Sequence, residues 1–185
     1  MDGKTWPGRI SECAGGVGRN LAEAIGRLQL QQHGDILKPT PLLLSSVGRD
    51  RAAQFLLERL AQVVDVTGVQ QVEGANSAAY EVLLDSRGEC RLVVGDVEVH
   101  NALTKHWVKK FERNLTKSPL VVLDGNTPTE TMHYVLQTCQ EAGVPGRTSK
   151  FNCFCMLKLF TSRIHKVIFQ YILIKPVSNI YINKI

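Results

Sequence analysis

The sequence predicts an α/β fold carrying a β-hairpin, and three observations point to it. Short apolar runs ending in Gly or Asp alternate with segments whose apolar residues recur at helical spacing, the pattern of strands feeding helices across a parallel sheet. Two strand-like runs, Ser77 to Leu84 and Glu89 to Val94, flank the polar loop Asp85-Ser86-Arg87-Gly88, as a hairpin requires. The composition, 44% hydrophobic and 21% charged over 185 residues, is that of a globular chain long enough for one core.

Taken in order, Gly18 to Leu30 reads as a helix, with Leu21, Ala22, Ile25 and Leu28 on one face behind a glycine-rich start. Gln31 to Pro41 is a polar loop closed by Pro39 and Pro41. Leu42 to Val47, ended by Gly48-Arg49-Asp50, has the character of a buried strand turning into a helix. That helix, Arg51 to Gln62, aligns Ala53, Leu56, Leu57 and Leu60. Val69 to Val72 is strand-like and precedes the hairpin. Thr104 to Leu115 is amphipathic as one helix, with Trp107, Val108, Phe111 and Leu115 facing one way.

Leu120 to Leu123 reads as a second buried, parallel-type strand, with Asp124-Gly125-Asn126 at its C-terminal end. Thr127-Pro128-Thr129-Glu130 is a capping-box start, in which the Thr127 hydroxyl accepts from the Glu130 amide and proline suits the first helical position. The helix is expected to run to Gly143 as its C-terminal cap. Val144-Pro145 would begin the next strand, but the sequence changes character there.

The formal charge of +5 is unevenly spread. Seven of the 22 Lys and Arg lie from Gly146 to Ile185 with no acidic residue, so the preceding part sets fifteen basic against seventeen acidic residues, a net −2. A basic tail on a mildly acidic body, without helix-turn-helix or zinc-finger spacing, argues against a nucleic-acid partner. Phe, Ile, Lys, Asn and Tyr fill 21 of those 40 tail positions, and helical or alternating periodicity is lacking. The tail, 146–185, is expected to be poorly ordered and resembles translated non-coding sequence; a short β-rich accessory piece is the competing reading. Its longest apolar run, Val167 to Ile174, is far shorter than the roughly 20 residues a bilayer span needs, so no membrane partner is expected.

Five scattered cysteines behind an N-terminus without an apolar core favour a cytoplasmic setting. Cys153-Phe-Cys155 lacks zinc-knuckle spacing and a second pair, so no metal site is expected.

The run Gly15-Gly16-Val17-Gly18-Arg19-Asn20-Leu21-Ala22-Glu23 carries the clearest chemistry. Glycines let backbone approach a sugar closely, and an Asn amide at a helix start can both donate to and accept from hydroxyls. A dinucleotide-binding reading is poor, because Leu21 stands where a third glycine belongs. This run resembles the first signature of the PfkB (ribokinase-like) carbohydrate kinases, and Leu42 to Asp50 resembles that family's second strand with its Val-Gly-x-Asp turn. Val64 to Val69, the hairpin, and Leu120 to Asn126 follow in the family's order, so the resemblance covers about 7–145. Within the family, Gly-Gly-Val-Gly-Arg-Asn followed by Ala-Glu is most similar to the pseudouridine kinases, including those fused to pseudouridine-5'-phosphate glycosidases.

The resemblance implies a partial three-layer α/β/α domain with the hairpin as lid, and a nucleoside or sugar substrate phosphorylated by ATP with Mg2+. It places Gly15, Gly16 and Asn20 on the ribose-like ring and Asn126 in the same crevice, where open α/β sheets bind ligands. Tyr80 would cover the base or ring, or serve as ordinary half-buried packing. Asp124 would orient its loop or cap the following helix. Lid strands in the family also form dimer contacts, which implies a dimer through the hairpin.

The family's late Gly-Ala-Gly-Asp segment, with its catalytic base and anion hole, does not occur in the sequence, nor does the opening strand with a sugar-binding aspartate. Phosphoryl transfer depends on positioning and charge stabilisation, so an inactive, truncated kinase chain is the expectation and no catalytic residue is assigned. The alternatives are a non-catalytic nucleoside-binding or subunit-pairing module, and a chain without stable fold.

Overall fold

The computed structural model describes residues 7–33, 40–144 and 181–184. Helix α1 (Val17–His33) leads to β1 (Ser45–Gly48), α2 (Arg51–Leu60) and β2 (Val69–Val72). β1 and β2 pair in parallel, Ser45 opposite Val69 through Gly48 opposite Val72, with α2 as the crossover. The pairing begins earlier than the ladder: the Leu43 amide donates to the Asp65 carbonyl and the Asp65 amide to the Pro41 carbonyl, both at 3.0 Å.

Successive residues on an extended segment face opposite ways, and Leu43 and Leu44 show what this does for layering. Leu43 packs with Ala22, Leu60, Val63 and Val64, the α1–α2 side. Leu44 packs with the core of Val108, Leu115, Val135, Cys139 and Val144, supplied by the later helices. The strand thus lies between two helical layers, the three-layer α/β arrangement expected.

β3 (Ala79–Leu84) and β4 (Cys90–Asp96) form the expected antiparallel hairpin, from Ala79 opposite Asp96 to Leu84 opposite Cys90, with a register shift between Leu83 and Leu84. Asp85 builds the turn, its carboxylate accepting from the amides of Arg87 and Glu89 and from Arg91. β5 (Tyr181–Lys184) lies parallel to β3 on its other edge, Tyr80 opposite Tyr181. Residues 145–180 lie outside the described residues, and with them most of the tail, including Cys153 and Cys155.

Three local expectations are corrected. The segment Thr104 to Leu115 is two helices, α3 (Lys105–Lys109) and α4 (Glu112–Lys117). At the break the Lys110 and Phe111 amides donate to Trp107 and Val108, tightening the turn to i,i+3 bonds while keeping the same apolar face inward. Leu120 to Leu123 joins no strand ladder; Val121 and Leu123 pack on the core, so the apolar pattern reported burial rather than pairing. Helix α5 (Thr129–Glu141) is flanked by Pro128 without a side-chain cap bond, and the Thr127 amide instead donates to the Asp124 carbonyl. Its C-terminus follows the expectation: Gly143 takes φ 66°, and the amides of Gly143 and Val144 donate to Gln140 and Cys139.

Candidate functional site

The α1 start holds Gly15, buried, and Gly16, whose φ of 98° is a conformation favouring glycine. Asn20 lies in the first turn of α1, exposed, its amide donating to the Gly16 carbonyl at 2.8 Å. Its side-chain oxygen accepts from Arg19 Nε at 3.2 Å. Arg19 is in turn paired with Glu23, which also takes Arg27 Nη2 at 2.7 Å. The Arg27 hydrogen bond is the main reason the Glu23 carboxyl lies below its ordinary range; burial opposes it, and the charges of Arg19, Arg27 and Arg59 reinforce it. An ionised Glu23 therefore fixes Arg19, and Arg19 fixes the amide face of Asn20. Sequence reasoning did not single out Arg19 or Glu23 as a unit, although their i,i+4 spacing signals it.

Asn126 sits beyond the 120–123 segment, half-buried, its amide donating to Asp124 Oδ1 at 2.9 Å. Asp124 therefore orients the loop rather than the helix, since its carbonyl and carboxylate both serve residues 126 and 127. His100, on the 3-10 turn Glu98–Ala102, is near enough to Asp124 to feel its charge. Burial pushes its pKa down, and the Asp124 carboxylate only partly opposes this. Burial thus favours the neutral imidazole near Asp124, which offers one donor and one acceptor, a polar group that sequence reasoning did not name.

Tyr80 on β3 stands opposite Gly95 of β4, where a Cβ would lie 2.5 Å from the tyrosine ring. The ring covers the hairpin backbone there. Among the described residues, hydrogen bonds join Gly16, Arg19 and Asn20 as one set and Asp124 and Asn126 as another, with none between the two sets. An open cavity of about 430 Å³, lined by Arg49, Asp50, Gln54, Leu57, Glu58 and Gln71, lies beside α2 and includes none of the five expected site residues.

Comparison with known proteins decides the family. Residues 4–175 match the model of the pfkB family carbohydrate kinases. The chain belongs to that family. It is 27% identical over 146 residues to a pseudouridine kinase of Arabidopsis thaliana, covering 78% of this chain and 36% of that protein. It is 31% identical over 140 residues to a pseudouridine kinase of Escherichia coli K12, covering 75% of this chain and 41% of that protein. The chain thus spans about two fifths of the length of these curated relatives. The solved ribokinase of Giardia lamblia superposes with a TM-score of 0.59 at 22% identity over 78% of this chain and 42% of that structure, a likeness of fold. The ribokinase-like α/β class is therefore established.

PfkB kinases generally use ATP and Mg2+. Among the described residues no three His, Cys, Asp or Glu converge, and no Gly-Ala-Gly-Asp segment occurs in the 185 residues. No helix among the described residues is long and apolar enough to cross a membrane.

Proposed function

We propose that this chain binds a nucleoside of the pseudouridine type through the α1 start, with the hairpin as lid, and does not by itself transfer phosphate. The observation that carries the reading is the Gly16–Asn20 turn: a left-handed glycine brings backbone close to a ligand, and the Arg27–Glu23–Arg19 chain holds the Asn20 amide in one orientation. The likeness to two pseudouridine kinases supports a nucleoside rather than a free hexose, and the family resemblance implies its 5'-hydroxyl as the acceptor in an active kinase. The unpaired thiols of Cys13, Cys90 and Cys139 accord with a cytoplasmic setting.

Titration calorimetry of the purified chain with pseudouridine, beside a coupled assay of ATP consumption, tests this. Binding weakened by Asn20→Ala and by Asn126→Ala, with no ATP-dependent turnover, supports the reading. Turnover that survives both substitutions places the site elsewhere.

A second reading is a subunit-pairing module. Leu92, Val93 and Val94 on β4 are 46%, 48% and 57% exposed, an apolar stretch suited to pairing through the hairpin. Sedimentation that shows a dimer lost on Val93→Lys, without nucleoside binding, would favour it.

A further inference from the structure

The hairpin and β5 form a sheet separate from β1–β2, and among the described residues the hydrogen bonds that tie the hairpin to the β1–α2 body lie at its two legs. On the leaving leg the Ser46 hydroxyl donates to the Val99 carbonyl at 2.7 Å. On the entering leg Ser77, 3% exposed, is gripped by one carboxylate: Asp50 Oδ2 accepts from the Ser77 amide at 2.6 Å and Asp50 Oδ1 from its hydroxyl at 2.7 Å. The same Ser77 oxygen accepts from the Gly48 amide at 3.1 Å. Room for this exists only because residue 48 is glycine; a Cβ there would meet the Ala75 carbonyl oxygen at 2.2 Å and the Ser77 nitrogen at 2.7 Å. Asp50 Oδ1 is meanwhile the N-cap of α2, accepting from the Ala53 amide at 2.8 Å.

One carboxylate therefore serves two elements with different neighbours. The cap belongs to α2, which is also held by the buried Ala53, Leu56 and Leu60. Beyond Ser77 every residue of β4 is exposed, and burial in the hairpin is confined to Ala78 and Val82, with β5 paired on the outer edge of β3.

We propose that Asp50 and Ser77 form a latch that governs local opening of the β3–β4 hairpin independently of the domain body. The inference stands apart from the nucleoside reading, because it concerns the hairpin's attachment in the free chain. Asp50→Asn, with its oxygen toward the Ala53 amide, keeps the α2 cap and the Ser77 hydroxyl bond but puts an NH2 group against the Ser77 N–H, so the latch is weakened while the cap is kept.

The test is amide hydrogen exchange on the full chain for wild type, Asp50→Asn, Ser77→Ala and Ser77→Thr. Charge-assisted bonds are among the stronger ones, so protection across 79–96 should fall about tenfold in Asp50→Asn and several-fold in Ser77→Ala, with residues 54–60 of α2 nearly unchanged. Ser77→Thr keeps the hydroxyl and should retain most of the protection. Where Asp50→Asn loses protection throughout, Ser77→Ala, which leaves the cap untouched, decides the outcome. Unchanged hairpin protection in Ser77→Ala, or equal loss in α2 and the hairpin, overturns the proposal. Neither result depends on nucleoside binding.

Discussion

The indole of Trp107 donates from Nε1 to the Gly68 carbonyl at 3.0 Å, tying α3 to the chain just before β2. Lys110 lies over the same ring, 4.3 Å from its centroid, and Phe111 packs against it with centroids 6.0 Å apart. Trp107→Phe keeps an aromatic body there but removes the donor. The Gly68 carbonyl still accepts from the Ser45 amide at 3.4 Å, so the carbonyl is not left bare. The expected loss is about 1 kcal/mol in urea unfolding, with a small further part from the weaker cation–π contact. A stability equal to wild type would show that the indole bond contributes nothing net.

Asp50 also gives the molecule a pH signature. Burial is the largest influence and opposes ionisation, yet the Ser77 and Ala53 amides, the Ser77 hydroxyl and the Ala52 amide together outweigh it, leaving the carboxyl below its ordinary 3.8. A carboxyl depressed on folding adds stability that is present above its unfolded pKa and is lost as pH falls through the folded one. Nearby charges are Arg49, paired with Glu73 at 2.6 Å on the surface, and Glu58 in the adjoining cleft. The stability gap between wild type and Asp50→Asn should therefore be constant from neutral pH down to about 5 and shrink below about 4. A gap that instead widens in acid would reverse the sign of this assignment.

Thiol reactivity should sort the three described cysteines by position. Cys139 is buried in the α3–α5 core, and burial pushes its pKa up, which keeps it a thiol. Cys13 and Cys90 are exposed. Alkylation followed by peptide mass mapping should label Cys13 and Cys90 in the folded protein and reach Cys139 only after denaturant. Equal labelling in the native state would mean that the α5 face opens readily.

Which features were legible before the structure follows from what each signal measures. Val69–Val72 and the hairpin were readable because strand composition and a polar loop ending in Gly88, at φ 82°, are local properties. The break at Phe111 was not, since Trp107, Val108, Phe111 and Leu115 keep one apolar face across two short helices. Leu120 to Leu123 misled for the related reason that burial and ladder pairing leave the same apolar run. At the candidate site, the Gly16 turn and the start of α1 were legible through spacing. His100 was not, because its meaning depends on Asp124, which is distant in sequence and near only in the fold.

The last prediction separates stability from binding at the α1 start. Glu23 holds both Arg19 and Arg27, with side-chain exposures of 22%, 14% and 58% in that order. Helical i,i+4 pairs at such positions contribute about 0.3–0.5 kcal/mol each, so Glu23→Gln should lower unfolding stability by less than about 1 kcal/mol. Its effect on ligand should be larger in proportion, since Arg19 then ceases to fix the Asn20 oxygen and the amide samples other rotamers. A hydrogen bond is worth about 0.5–1.5 kcal/mol net, so pseudouridine affinity should fall roughly 2–10-fold in Glu23→Gln. In an Asn20→Ala background the same substitution should change affinity little, because the group it positions is gone. Equal losses in both backgrounds would show that Glu23 acts on the ligand through something other than Asn20, and the Arg27–Glu23–Arg19 chain would lose its positioning role.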